Sequence, residues 1–160
     1  MTNSFGYKNF SLSISVQGSQ GNKVYSNSDN FLYTRARYKQ LSSVKNYWKS
    51  ETEPGDGESP RPNNNPTGGL REKSTRFLDD GSFFRINNIN LGYSVGDQIT
   101  RKLRISALRV YVTATNPLLV TKYKFFNPEV SNSGNPLTPG VEDYNYPLAK
   151  SIIAGVNVTF

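Results

Sequence analysis

The end of the chain, residues 151–160, alternates between apolar and other side chains. From residue 155 onward the odd positions are small or polar. The even positions of this segment are all apolar: Ile152, Ala154, Val156, Val158 and Phe160. A period of two indicates a strand with one face in an apolar medium and the other in a polar one. An aromatic last residue favours a transmembrane barrel, where aromatic side chains lie at the membrane interface. The C-terminal strand of a soluble β-sandwich is the alternative.

The composition favours strands and turns. The chain contains 10 Tyr, 9 Phe and 13 Gly, and 35% of its residues are hydrophobic. That hydrophobic share is low for a soluble core of this length but suits a barrel wall, where only alternate residues meet lipid. No run of about 18 apolar residues occurs, so a transmembrane helix is excluded. If the chain crosses a membrane, it crosses as strands.

The absence of Cys and His from the chain limits its chemistry. Disulfides, thiol nucleophiles, imidazole bases and the common zinc sites are excluded. Asp79 and Asp80 are adjacent, so on a strand their carboxylates would point to opposite faces, which does not favour acid–base catalysis. The chain is therefore not expected to be an enzyme, and no cofactor is predicted.

An acidic group in the middle of the chain is the one candidate for cation binding. Interspersed Pro54 and Gly55 break any calcium-loop template, so a solvated acidic loop is favoured and no metal site is predicted. The group consists of Glu51, Glu53, Asp56 and Glu58.

The net charge of +7 raises the question of nucleic-acid binding. The basic residues are scattered from Lys8 to Lys150, and the tightest group is Arg101, Lys102 and Arg104, beside a strand. Solvated charge normally lies in such a turn, so no nucleic-acid partner is predicted.

Hydrophobic alternation predicts an all-β, antiparallel up-and-down meander. The strands are expected over residues 2–7, 10–17, 82–95, 105–115 and 148–160. The connections are alternately short and long: Lys8-Asn9, with Asn9 tolerant of positive φ, then residues 18–76, 96–104 and 122–147. Asn116-Pro117 is expected to end the regular ladder of the fourth strand.

The same parity predicts which residues share a face. Arg109 and Tyr111 fall on the polar face, where a charge costs little, and would face the lumen of a barrel. The residues expected together on the apolar face are Leu12, Ile14, Ile89, Leu91, Val110, Val112, Val156 and Val158.

The first long connection has a pattern of its own. Residues 29–50 are compatible with a helix, and residues 51–69 are rich in Pro and Gly. Its aromatic residues could stack on sugar rings or bind a partner; the alternative is that they pack the loop's own helix against a barrel rim. These residues are Tyr33, Tyr38, Tyr47 and Trp48.

Several short pieces of the chain, in this order and spacing, resemble the C-terminal part of the SusC/RagA family of TonB-dependent outer-membrane transporters. One departure is Pro117, where the family more often carries an apolar residue other than proline. The pieces are residues 3–13 (NSFGYKNFSLS), 79–93 (DDGSFFRINNINLGY), 108–112 (LRVYV), 115–116, 121–123, 127–130 (NPEV), 146–147 and 155–160 (GVNVTF).

This resemblance implies a 22-stranded transmembrane barrel in the bacterial outer membrane, of which the chain supplies the last four strands and the end of a fifth. It places residues 18–76 and 122–147 in extracellular loops and makes residues 148–160 the terminal strand. The plug, the TonB-interacting segment and the signal peptide would lie outside these residues, with Met1 at an internal position.

The resemblance also implies partners and roles. A surface lipoprotein similar to SusD would act as a lid, and glycans or peptides would be imported in Bacteroidetes-type bacteria. Val156, Val158 and Phe160 would form the terminal assembly strand, while Arg109 and Tyr111 would line the transport path or pair with the plug. The alternative from another class is a soluble β-sandwich that binds carbohydrate with Trp48 and the Tyr cluster. Partitioning into membranes separates the two hypotheses.

Overall fold

The computed structural model describes residues 1–34, 42–57, 59–61, 73–131, 135 and 137–160. The strands are β1 (Thr2–Tyr7), β2 (Phe10–Ser19), β3 (Lys23–Ser26), β4 (Leu78–Asp80), β5 (Phe83–Ser94), β6 (Ala107–Thr121), β7 (Val141–Glu142) and β8 (Ser151–Thr159). The helices are α1 (Asn27–Thr34) and α2 (Asp97–Lys102), with 3₁₀ turns at Ser42–Asn46 and Thr75–Phe77. No helix in the described residues is long and apolar enough to span a bilayer.

The chain divides into two compact units. The sheet unit comprises Met1–Gly21, Gly81–Asn127 and Tyr146–Phe160. The loop unit comprises Asn22–Asp80 and Pro128–Asn145. The two connections predicted to be long loops thus contribute to one folded unit.

The sheet unit is a single five-stranded sheet in the order β1-β2-β5-β6-β8, with every neighbouring pair antiparallel. This order confirms the predicted up-and-down meander. The sheet does not close on itself, and β1 and β8 each have one paired neighbour among the described strands. Two strands are longer than expected, because β2 continues to Ser19 and β6 to Thr121.

The register places the predicted apolar residues on one face. Leu12 pairs with Leu91, and Leu91 pairs with Val112. On the two strands β6 and β8, Val110 pairs with Val156. Residues directly opposite each other in an antiparallel pair share a face, so the apolar set is continuous across the sheet. Ile14 pairs with Ile89, and Val158 pairs with Leu108, another apolar residue.

A bulge at Asn87 keeps this face apolar along the whole of β5. The pairing of β5 with β2 shifts between Ser15 and Val16, because Val16 pairs with Ile86 and Ser15 pairs with Asn88. Without the extra residue, Ile86 would lie on the polar face, since a one-residue slip reverses every side chain.

The bulge also accommodates the proline of β6. Asn116 has a φ of 49°, and the pairing of β6 with β5 resumes at Leu118 and continues to Thr121. The expectation that Asn116-Pro117 ends the ladder is therefore wrong. Pro117 lies between the two paired stretches, where its missing N–H breaks no ladder hydrogen bond.

The short connections agree with prediction in length but not in detail. Between β1 and β2 the positive φ, 53°, falls on Lys8 and not on Asn9. The Asn9 carbonyl instead accepts a hydrogen bond from Ser94 N at 2.9 Å, which engages this residue with β5. The polar connection after β5 contains helix α2, which was not predicted. Its Asp97 lies in the first turn and Arg101 in the last, so both charges suit the helix dipole.

The loop unit has its own small sheet in the order β4-β3-β7, with β3 and β7 parallel. Its buried apolar residues include Val24, Phe77 and Val130. The parallel pairing joins a strand of the first long connection to a strand of the second. The two connections are therefore one structural element rather than separate loops.

The helix predicted over residues 29–50 is wrong in its last part. Helix α1 extends to Thr34 among the described residues, and residues 47–50 are not helical. The segment after residue 46 folds back on itself: Trp48 N donates to Ser59 O at 2.8 Å, and Asp56 N donates to Asn46 O at 2.8 Å. Gly55, with a φ of 68°, supplies the turn that this return requires.

The sheet unit predicts the behaviour of the 160-residue chain in isolation. Its apolar face remains exposed and its edges carry unpaired backbone groups, so the chain is expected to self-associate in aqueous buffer. Analytical ultracentrifugation with and without detergent measures this association. The substitutions Ile152→Lys and Val156→Lys, both on the exposed face, should reduce the association. A monodisperse, detergent-independent monomer of the wild-type chain would contradict the prediction.

Candidate functional site

The polar face of the sheet carries Arg109 and Tyr111, as parity predicts. Arg109 lies on β6 opposite Ser94 of β5. Its guanidinium extends over β5 and donates from Nη2 to Ser11 Oγ on β2 at 3.1 Å. One side chain thereby connects three neighbouring strands.

Gly92 makes the path of this arginine possible. Gly92 lies on β5 between Ser11 and Tyr111 in the pairing. A Cβ at Gly92 would lie 2.7 Å from Arg109 Nη2 and 2.7 Å from Ser11 Oγ. A larger residue at this position would displace the guanidinium from the sheet surface.

Tyr111 makes the equivalent contact toward the terminal strand. It pairs with Gly155 of β8, and a Cβ on Gly155 would lie 2.5 Å from the Cζ and Oη atoms of the ring. The aromatic ring therefore covers the backbone of β8 at its one glycine. A slip by one residue would bring the ring against Ala154 or Val156 and reverse the faces of β8, so this contact specifies the register.

The remainder of the polar face is linked by short polar contacts. Asn90 Nδ2 donates to Thr113 Oγ1 at 2.6 Å. Beyond the bulge, Asn87 Nδ2 and Arg85 Nη2 both donate to Gln17 Oε1, at 3.1 and 3.2 Å. Such a face can border a hydrated space, because its groups are hydrogen-bonding and carry little apolar surface.

In the loop unit, a buried carboxylate holds the first turn of α1. Glu142, 4% exposed, accepts from Ser28 N at 3.0 Å and Ser28 Oγ at 2.8 Å. It also accepts from Ser26 Oγ at 3.2 Å, while that hydroxyl oxygen accepts from Asp29 N at 3.0 Å as the helix cap. A negative charge is favourable at a helix N-terminus, so Glu142 ties the second connection to the first.

A cavity of about 240 Å³ lies beside this helix start. Asn27, Asn30 and Phe31 line it at helical spacing, and Lys73 contributes a charged group. The other lining residues are Tyr25 from β3 and Asp143 and Tyr144 from the segment after β7. The cavity therefore combines two amides, two opposite charges and three aromatic rings.

The aromatic residues of the cavity are held in defined positions. Asn30 Nδ2 donates to the Tyr25 hydroxyl at 3.2 Å. The rings of Phe31 and Tyr144 meet edge to face, with centroids 6.1 Å apart and planes at 89°. Tyr144 has a φ of 54°, a left-handed conformation that is strained for a residue with a side chain, and its side chain remains exposed.

The predicted loop aromatics are placed differently. Tyr33 lies in α1, and Tyr38 lies outside the described residues. Tyr47 and Trp48 lie in the segment that folds back, and neither is among the described lining residues of the cavity. The signal that sequence reasoning missed is Ser26 followed by Asp29, the spacing of a helix cap, which marks the start of α1.

The described members of the acidic group have separate partners. Glu53 pairs with Lys49 at 3.1 Å, and Asp56 accepts from Ser59 N at 2.6 Å and from Ser59 Oγ at 2.8 Å. Glu58 lies outside the described residues. Across the part of the chain that the structure describes, no group of three or more His, Cys, Asp or Glu is arranged to hold a metal ion. Asp79 and Asp80 are adjacent residues of β4.

Comparison with known proteins identifies the family. The chain is 31% identical over 163 residues to TonB-dependent receptor P26 of Formosa agariphila, covering 99% of the chain and 16% of that receptor. It is 30% identical over 161 residues to TonB-dependent receptor SusC of Bacteroides thetaiotaomicron, covering 100% of the chain and 15% of SusC. The chain belongs to the SusC/RagA family of TonB-dependent receptors.

The fold of this SusC/RagA-family chain is similar to a solved relative. It superimposes on the RagAB peptide transporter with a TM-score of 0.77 and 24% identity, covering 99% of the chain and 17% of that protein. No protein-family model matches the chain. The chain spans about 16% of the length of P26.

The terminal strand of the SusC/RagA-family chain is β8. Val156 pairs with Val110 and Val158 with Leu108 on the apolar face. Phe160 follows the strand and is 91% exposed. Within the described chain, the edge of β8 away from β6 is unpaired.

A substitution at Gly155 tests the contact with Tyr111. Gly155→Ala in the full-length receptor should lower the free energy of unfolding by about 1–3 kcal/mol, because the new methyl group overlaps the ring. In a Tyr111→Ala background the same substitution should lower the free energy of unfolding much less. Urea unfolding of the four proteins of this double-mutant cycle measures the coupling.

Gly6 provides the control for this cycle. It lies on the polar face opposite Ser11, and a Cβ there meets nothing within 4 Å. Gly6→Ala should therefore show no coupling to Tyr111→Ala. An equal cost of Gly155→Ala in both backgrounds would remove the register role of Tyr111.

Glu142 is predicted to hold the loop unit together. In the full-length receptor, Glu142→Ala leaves buried donors of Ser26 and Ser28 unpaired, at a cost of about 1–3 kcal/mol, or about 5- to 150-fold faster amide exchange in α1. Hydrogen–deuterium exchange measures the exchange rates of the α1 amides. Glu142→Gln should give an intermediate exchange rate in α1. Glu51→Ala, at an exposed residue, should leave this rate unchanged. Unchanged exchange in Glu142→Ala would contradict the assignment.

Proposed function

We propose that the chain is part of the barrel wall of a TonB-dependent outer-membrane importer. The observation that carries this proposal is the apolar face, which continues across five antiparallel strands and remains exposed. In a barrel wall that face meets lipid and the opposite face meets the lumen. Family membership and the fold shared with the RagAB peptide transporter support the same reading.

The soluble carbohydrate-binding sandwich is not favoured. A sandwich covers the apolar face of one sheet with the apolar face of a second. Leu91, Val112 and Val156 remain 47%, 43% and 58% exposed, as expected of residues that face lipid.

The remaining sequence predictions become parts of this proposal. Glycans or peptides would be the substrates, since SusC and a peptide transporter are both among the similar proteins. A SusD-like lipoprotein would cover the extracellular side, where the loop unit would lie, and TonB would act through a part of the receptor outside this chain.

The site residues have proposed roles in the same frame. Arg109 and Tyr111 would face the lumen. Their main role there would be to hold neighbouring strands in register rather than to bind cargo. Tyr47 and Trp48 stay candidates for contact with ligand or lid, as do Tyr33 and Tyr38. Val156, Val158 and Phe160 would form the segment that the assembly machinery recognises.

Assembly of the full-length receptor tests the proposal. The wild-type receptor should be recovered in the outer membrane and extracted only with detergent. Phe160→Ala, or deletion of Phe160, should lower the amount of heat-modifiable, assembled barrel seen on a gel, because the terminal strand would lose its aromatic end. Thr159→Ala, on the opposite face, serves as the control.

Two results would count against it. Unchanged assembly and uptake after deletion of Phe160 would remove the assembly role from that residue. Extraction of the wild-type receptor by aqueous buffer alone would overturn the barrel wall itself.

A further inference from the structure

We propose that the connection between β5 and β6, residues 95–106, binds the headgroups of anionic phospholipids. This inference rests on the barrel-wall function proposed above, for which it names a lipid partner. The connection contains helix α2 and three basic residues, Arg101, Lys102 and Arg104, all within the sheet unit. The sequence patterns predicted no nucleic-acid partner for these basic residues and gave them no other role.

A row of aromatic side chains crosses the sheet at the end where this connection lies. In the pairing of the strands, Tyr7 is opposite Phe10, and Phe10 is opposite Tyr93. Tyr93 is opposite Val110 on β6, which places the row on the apolar face. The ring centroids of Phe10 and Tyr93 are 4.7 Å apart, and all three aromatic side chains are exposed. In a barrel wall, such a row lies at the boundary between the hydrocarbon and the headgroups.

Helix α2, which begins four residues after Tyr93, exposes two large apolar side chains. Leu103 N donates to Ile99 O at 3.1 Å, so these two residues lie one helical turn apart on the same side. Ile99 is 54% exposed and Leu103 is 56% exposed. Thr100 is buried instead, and its Oγ1 donates to Asp97 O at 3.2 Å. A short helix that turns its apolar side chains outward at the headgroup level is suited to the membrane interface.

The basic side chains of the connection lie next to these apolar residues in the chain and are exposed as well. Arg101 and Lys102 end α2, and Arg104 follows with a φ of 56°. Among the described residues, no carboxylate forms an ion pair with any of the three. Asp97 is the one acidic residue of the sequence 95–106, so the connection carries net positive charge. Arginine and lysine both bind phosphate groups, which makes the connection complementary to an anionic headgroup.

The combination of apolar and basic groups favours a phospholipid over a free anion. Inorganic phosphate would pair with the basic residues but would leave Ile99 and Leu103 in water. A phospholipid supplies an acyl chain and a phosphate within one molecule. A lipid lying against Tyr93 and Val110 on the apolar face would bring its headgroup to the level of the connection. An acidic segment of another protein is the alternative occupant, and the experiment includes it.

The experiment uses the full-length receptor reconstituted in lipid nanodiscs. One set contains phosphatidylcholine alone, and the other contains phosphatidylglycerol as well, which has an anionic headgroup. Hydrogen–deuterium exchange of residues 96–106 is compared between the two sets for each protein, so the intrinsic exchange rate of a variant cancels. The anionic lipid should slow this exchange by about fivefold or more in the wild type, because each basic residue near an anionic surface strengthens binding by about fivefold.

The decisive variant combines Arg101→Gln with Lys102→Gln. Both residues are exposed, and glutamine keeps a side chain that favours a helix, so only the two charges are lost. Most of the slowing by phosphatidylglycerol should disappear. The matched control combines Lys122→Gln with Lys150→Gln, two exposed residues at the other ends of β6 and β8. It removes the same charge and should keep the full effect.

Three results would overturn the inference. The first is equal exchange of the wild type in both lipid mixtures, and the second is an undiminished lipid effect in the Arg101→Gln, Lys102→Gln variant. The third is the same slowing when inorganic phosphate or polyglutamate is added to the phosphatidylcholine nanodiscs, which would assign the surface to a free anion or to an acidic protein.

Heat-modifiable mobility of the reconstituted receptor separates this failure from failure of the importer proposal. An assembled barrel whose residues 96–106 exchange equally in both lipid mixtures contradicts only the headgroup site. A receptor that never forms a heat-modifiable barrel contradicts both proposals.

Discussion

The alternation of side chains across antiparallel strands is the constraint on which the sheet depends. Each strand can satisfy its backbone only by pairing, and each pairing puts opposite residues on the same face. A slip of one residue would turn the apolar set of a strand to the polar face. The bulge at Asn87 shows how closely the chain follows this constraint, because the extra residue returns Ile86 to the apolar face and leaves Pro117 outside the ladder.

The polar face adds a second level of register control. Arg109 extends over Gly92 toward Ser11, and Tyr111 covers Gly155 of the terminal strand. Both glycines are needed because a side chain crosses the backbone at their positions. Hydrogen-bond pairing alone does not choose among registers, whereas a large side chain above a single glycine does. These two residues of the polar face therefore help to fix the register of the strands that they cross.

The loop unit depends on a different interaction, the buried carboxylate of Glu142. It receives hydrogen bonds from Ser26 and Ser28 at the start of α1, and β7 beside it pairs with β3. The cavity is formed around this joint, since Asn27 lies just after Ser26 and Asp143 just after Glu142. The two long connections thus build one folded unit with a polar cavity.

Local pattern predicted the order and the faces of the sheet strands, but it predicted neither the continuation of β6 past Pro117 nor the structure of the loop unit. The strands, their order and the face of Val110, Leu91 and Val156 follow from sequence, because period-two alternation and short turns are properties of neighbouring residues. The helix predicted over residues 29–50 is wrong in its last part, where the segment folds back through a backbone contact of Trp48 with Ser59 and a turn at Gly55.

The cavity of the loop unit could not be predicted from local sequence pattern, for a physical reason. Its central contacts join Ser28 to Glu142, 114 residues apart in the chain, and the cavity combines residues from three such distant segments. Sequence by itself determined which residues alternate, where turns occur and, through the resemblance, the family. Only the tertiary structure decided which distant side chains meet, because burial of a carboxylate against a helix start depends on packing that no short stretch encodes.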